Sequence, residues 1–189
     1  IHTCRLENEA LERVMEDLQG VIGELGSIEK VRRQELVSRW KELHGELREV
    51  EKHYSRKENI LFPFLEKNGI TGPPSVMWSI HDDIRAGLKR ISTFFEQVEN
   101  GTKSEDELVK ESQSQVHPIL KAMQGMIYKE EKILFPMCLE TLSEDEWQAV
   151  AEESDEIGYT LISPSRKWQP VRSPKVETTP TQVPEGHLE

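Results

Sequence analysis

One stretch of this chain occurs twice. HYSRKENILFP spans positions 53–63 and MIYKEEKILFP spans 126–136, so position 53 falls onto 126, an offset of 73. The same offset carries His44 onto His117, Leu47 onto Leu120, Val50 onto Met123 and Glu58 onto Glu131. Each copy sets acidic residues, and the first copy also a histidine, just ahead of an ILFP run. A duplicated helix with polar residues on its apolar side points to two copies packed about a pseudo-two-fold axis, with a site between them.

Helical spacing runs through most of the chain. Leu11, Val14, Leu18, Val21, Ile22 and Leu25 form one apolar seam, and the first helix is expected over 2–25, ending at Gly26-Ser27. A second helix is expected over about 28–67, with Leu36, Trp40, Leu43, Leu47, Val50, Tyr54, Leu61 and Leu65 inward and a stop at Asn68-Gly69. Ser75 is the expected N-cap of a third helix, 76–99, with seam Met77, His81, Ile84, Leu88, Ile91, Phe95 and Val98. Ser104 with Glu107 reads as a capping box for a fourth helix ending near 141, and Pro118 should bend or interrupt it. Ser143 with Glu146 opens a short fifth helix, 144–156. Short connections predict an all-α, up-down-up-down four-helix bundle over 1–142 and a short helical segment over 143–162 packed on it. Five prolines among Ser, Thr, Lys and Gln make 163–189 a disordered tail or linker.

The 35% hydrophobic and 31% charged content fits a polar-surfaced globular protein, and no apolar run is long enough to span a bilayer. A net charge of −11 argues against nucleic acid or an anionic membrane as partner. The start, IHTCRLENEALERV, is amphipathic and charged rather than a leader; beginning with Ile, it fits a piece of a longer chain. Two cysteines, Cys4 and Cys138, give no disulfide framework, and a reducing cytoplasm is expected. Their helix ends meet in an antiparallel bundle, which leaves open a redox pair or two inert buried thiols.

Several polar residues fall on the buried seams. His81 lies in line with Met77, Ile84 and Leu88; Glu130 lies between Met123/Ile127 and Leu134/Met137; Glu7 lies in line with Leu11 and Val14. His53 and Glu58 flank the Tyr54–Leu61 line, with Lys57 close to it. In an antiparallel bundle His81 and Glu7, early in their helices, come level with His53, Glu58, Glu130 and Glu131, late in theirs. Buried carboxylates are costly unless paired or metal-bound. Imidazole and carboxylate at one level of a four-helix bundle suit iron or manganese. His44 and His117 read as boundary residues.

With these residues in hand, the chain resembles the hemerythrin-like, HHE cation-binding family over about residues 2–140. The resemblance implies His2 as the first-helix ligand, His53 as the second, His81 as the third and Glu130 as the glutamate of the fourth. Glu58 would still reach the site, and Glu131 or Glu7 would supply further oxygens. Two positions depart from the pattern: Lys57 stands where a glutamate is expected and Met126 where a histidine is expected. The chain looks closest to members placed upstream of a PAS sensor domain, with the Pro-rich tail as linker.

The expectation is an iron-binding sensory domain, with a buried non-haem di-iron cofactor that responds to oxygen, nitric oxide or redox state. A haem held by His53 or His81 with Met126, beside Tyr54, is an alternative. A di-iron peroxidase or nitrosative-damage repair enzyme is another, although the chain shows no nucleophile–base pair and no phosphate loop. A metal-free helical interaction module is the last. The implied partners are a diatomic gas and a downstream sensor domain in the same chain.

Overall fold

The computed structural model describes residues 1–26, 30–165 and 168–169. These residues contain helices and no strands. Helix α1 is His2–Leu25 and α2 is Lys30–Arg48. Next come α3, Val50–Arg56, a π-helical turn at Lys57–Leu61, and α4, Phe62–Lys67. Helix α5 is Gly72–Glu99 and α6 is Glu105–Lys129. A second π-helical turn, Glu130–Leu134, leads to α7, Phe135–Thr141, and then to α8, Glu144–Ile157. Helix α1 packs on α2 and α6, and α5 packs on α6 and α2, so the four rods close a bundle in chain order.

The expected seams form its core: Leu11, Leu18, Trp40, Leu43, Leu47, Met77, Ile84, Leu120 and Met123 are all buried. Both capping boxes exist. Ser104 Oγ accepts from the Glu107 N–H at 3.2 Å and Ser143 Oγ from the Glu146 N–H at 3.3 Å. No helix among the described residues is long and apolar enough to cross a membrane. Of the Pro-rich tail, all but 163–165 and 168–169 lies outside the described residues, as does Ser27 beside the Gly26 helix end.

Three local expectations are corrected. Helix α5 begins four residues before 76, at Gly72 after Thr71, so Ser75 is inside the helix rather than at its cap. Pro73 and Pro74 sit in the first turn, where a backbone N–H has no helical partner to lose. Pro118 lies inside α6, and the helix continues through it without interruption.

The expected second rod is divided at two points. The first is at Glu49. In an unbroken helix the His53 N–H would bond the Glu49 carbonyl. Here the Thr160 hydroxyl stands between them: it accepts from the His53 N–H at 3.1 Å and donates to the Glu49 carbonyl at 2.7 Å. A side chain inserted into the backbone ladder is a recognised cause of helix breaks. The second is the π turn at Lys57–Leu61, and its copy at Glu130–Leu134 falls at the repeat's own offset. Each wider turn adds a residue to its helix, so Arg56, Lys57 and Glu58 are buried in succession.

Helices α5 and α6 approach closely at Gly87. A Cβ there would sit 2.6 Å from Ile119 Cγ1, whereas one at Gly20 on α1 would meet nothing within 4 Å. Replacing Gly87 with Ala is expected to destabilise the fold by roughly 1 kcal/mol, overpacking outweighing the gain in helix propensity. Gly20→Ala should stabilise it by a similar amount, and denaturant melts of the two variants check the opposite signs.

Candidate functional site

Both π turns and the middle of α3 bring polar side chains into one layer across the bundle. Helix α1 contributes Glu7 and Asn8, α3 contributes His53 and Arg56, the first π turn contributes Lys57 and Glu58, α5 contributes His81, and the second π turn contributes Glu130. All eight are at most 5% exposed, and Glu7, His53, His81 and Glu130 are completely buried.

The contacts within the layer form one continuous chain. The Lys57 ammonium donates to Glu130 Oε1 and to His81 Nε2, the latter at 3.0 Å. His81 Nδ1 therefore carries that ring's proton and donates to Glu58 Oε1 at 2.7 Å. Arg85 closes this end with two bonds to Glu58, each 2.8 Å. On the other side, Glu130 Oε2 takes bonds from His53 Nε2 at 2.9 Å and Asn8 Nδ2 at 2.9 Å. His53 Nδ1 meets Glu7 Oε2 at 2.8 Å. Both ring nitrogens of His53 thus face carboxylate oxygens, and both bonds are complete only with a proton on each.

Glu7 is the most heavily bonded group. Arg56 grips both its oxygens at 2.6 Å, and the Thr160 N–H donates to Oε1 at 2.6 Å. Burial pushes the Glu7 carboxyl up, but the bonds and charges of His53 and Arg56 outweigh it and bring the group down to about 2. Burial likewise opposes ionisation of Glu130, and the charges of Lys57 and His53 with their hydrogen bonds hold its carboxyl far below the usual range. Burial pulls His81 down to about 4, against the pull of its hydrogen bond to Glu58, which fits a neutral ring accepting from Lys57.

The structure brings His53, His81 and Glu130 together, as their phase implies, and Glu58 joins them at His81. Glu58 reaches the outer nitrogen of His81, on the Arg85 side, because the π turn swings it away from Lys57. Tyr54 is buried and stacks on His81 with ring centres 4.0 Å apart. Met126 is fully buried within the hydrophobic core. His2 is not brought in: it is exposed at the start of α1 and lines a side cavity of about 370 Å³ with Cys4, Arg56 and Trp147. Glu131 turns outward to Arg5 at 3.0 Å. His44 is buried away from the layer against Ser92, at 2.9 Å, and His117 is exposed. Cys4 and Cys138 are both free thiols.

Sequence reasoning missed Asn8, Arg56, Arg85 and Thr160; it placed Lys57 near the seam and at the position of an expected glutamate, but gave it no role. Lys57 is four residues after His53, one helical turn away on the same face, and that spacing was the available signal.

A bundle whose helices converge imidazoles and carboxylates on one buried level belongs to the class that builds cation sites from side chains on facing helices. Residues 1–138 match the Hemerythrin HHE cation binding domain, and the chain belongs to that family. No curated protein matches it in sequence. The family's description names cation binding, and Cys4, Glu7 and His53 each offer a ligand atom, all within 4.8 Å of one another. An ion there would face Arg56, which holds both oxygens of Glu7 and lies 3.7 Å from Cys4 Sγ.

The donor set does not fit a two-iron centre. Three carboxylates, Glu7, Glu58 and Glu130, already face three basic side chains, Arg56, Arg85 and Lys57, before any charge on His53 is counted. Two ferrous ions would add four unbalanced positive charges. Both ring nitrogens of His53 and of His81 are engaged in hydrogen bonds in this arrangement.

Glu7 yields a signed prediction. Its folded pKa lies below the ordinary 4.5, so its contribution is complete above about pH 4.5 and fades as the pH falls toward 2. Glu7→Gln should destabilise the protein at pH 7 by about 3 kcal/mol, leaving Arg56 without its counter-charge. That deficit should shrink as the pH is lowered below 4.5, measured by denaturant unfolding of both proteins; a constant deficit would contradict the assignment.

Proposed function

We propose that this chain is a sensory module of the hemerythrin family whose buried ion layer is read out by the segment that follows α8. The observation that carries this reading is the position of Thr160. Its N–H bonds Glu7, and its hydroxyl is built into the helix that presents His53. The neighbours of Thr160 join in. The Gly158 carbonyl accepts from Arg56 at 2.9 Å, and the Tyr159 ring packs 4.7 Å from the Arg56 guanidinium. Gly158, with φ 88°, supplies the turn out of α8, and Leu161 adopts a φ of 57° that a bulky L-residue adopts only under strain. The segment is a strained latch closed on the layer. A change at Lys57 has a contiguous route outward through Glu130, His53 and Glu7 to Thr160.

A downstream domain in the same chain is the natural recipient of that signal, since the latch is the last part of the bundle before the C-terminal residues.

A second reading keeps iron and a diatomic gas. His81 Nε2 and Glu130 Oε1 both aim at the point that Lys57 fills, and His53 reaches the other oxygen of Glu130. With Lys57 displaced, the His81 imidazole and the Glu130 carboxylate would hold a single ferrous ion and leave coordination positions open to oxygen or nitric oxide.

The relay is tested with Lys57→Met, which keeps the volume and removes the charge. Hydrogen exchange at the Thr160 amide should accelerate by roughly tenfold or more, while amides at the start of α6 keep their rates. An unchanged Thr160 rate would sink the relay. Iron near one equivalent per chain in anaerobically purified protein, with absorption that responds to nitric oxide, would favour the second reading over the first.

A further inference from the structure

The layer is arranged around a cation, and that cation is a side chain. Lys57 Nζ is buried between an imidazole nitrogen and a carboxylate oxygen, and its side chain is 1% exposed. Both partners present lone pairs to one point. Asn8, bonded to Glu130 through its amide nitrogen, leaves its oxygen buried with no hydrogen-bond partner. One imidazole nitrogen and one carboxylate oxygen, both fully buried, thus converge as metal-ligand atoms do, and an ammonium stands where an ion would stand.

We infer that the Lys57 ammonium is the resident cation of this site, and that its removal opens a divalent-metal site whose protein donors are His81 and Glu130. The ligand class is a single borderline divalent ion that accepts mixed nitrogen and oxygen donors, such as Fe²⁺, Co²⁺ or Zn²⁺. The inference rests on the first reading above, in which the layer carries no metal.

Lysine and metal exclude one another on two grounds. Nζ takes up the donor atoms that the ion would need. A unit positive charge held about 4 Å from a divalent cation at an effective dielectric near 20 weakens binding by on the order of a million-fold. Shortening position 57 to alanine removes both obstacles, and the space left by the side chain lies inside the donor set.

The test is anaerobic titration of the full chain and of Lys57→Ala with Co²⁺, followed by equilibrium dialysis and visible absorption. The variant is expected to bind one cobalt per chain, at least roughly 1,000-fold tighter than the parent, with the ligand-field bands of a site of low symmetry. Adding His81→Ala to Lys57→Ala should abolish this uptake, and methylammonium, a small replacement for the missing ammonium, should compete with it. A folded Lys57→Ala protein that binds no more cobalt than the parent overturns the inference.

If Lys57→Ala does not fold, Lys57→Met supplies the result. It should be much less stable than the parent, and adding Glu130→Gln should recover a large part of the loss. A Lys57→Met protein as stable as the parent overturns the inference, because the ammonium then balances nothing. The two levels fail separately: iron in the parent as purified sinks the first reading, whereas absent cobalt uptake in a folded alanine variant sinks only the assignment of Lys57.

Discussion

Inside this bundle, three carboxylates must be neutralised where water does not reach. Glu7 is matched by Arg56, Glu130 by Lys57, and Glu58 by Arg85. Removing one partner of such a buried pair strands a charge and typically destabilises a protein by about 3–5 kcal/mol, a large part of the stability of a small domain. The pairs therefore fix how the rods sit at this level. Helix α1 cannot slide along α3 without parting Glu7 from Arg56, and the first π turn cannot shift against the second without parting Lys57 from Glu130.

The duplicated sequence explains how the pairs come to meet. Each ILFP copy carries a π-helical turn, and each turn rotates the residues after it relative to those before. In the first copy this buries Arg56, Lys57 and Glu58 in succession and directs Lys57 and Glu58 to opposite nitrogens of His81. In the second copy it buries Glu130 and leaves Glu131 at the surface with Arg5. The two copies thus diverged in sign at their centre, one presenting an ammonium and the other a carboxylate, and the pseudo-symmetric pair is a salt bridge. Thr160 uses the other irregularity, the break at Glu49, to lock the end of α8 onto the same layer.

Apolar periodicity made the four rods, their order and most of the core legible, because those follow from burying one stripe per helix. It also placed Glu7, His53, His81 and Glu130 at a common height, since these short or rigid side chains stay where their Cα phase puts them. Counting at 100° per residue failed where the helix is not α: the π turn carried Glu58 to the far side of His81. Phase also says little about long cationic side chains. Arg56, Lys57 and Arg85 reach their partners through several rotatable bonds, and only the assembled charges show where each head settles. His2 and Glu131 came from motif correspondence, and the former lies exposed at the start of α1 while the latter pairs outside the layer. Thr160, more than a hundred residues from His53, left no local trace in the sequence at all.

The central claim is that a protonated Lys57 fills the middle of the layer. Nitrogen-15 NMR of lysine-labelled protein near neutral pH, with Lys57→Arg to assign the signal, observes that group directly. A Lys57 ammonium signal with slow hydrogen exchange, well resolved from the fast-exchanging surface lysines, is the expected result. A Lys57 Nζ that exchanges with water as fast as the surface lysines would contradict it.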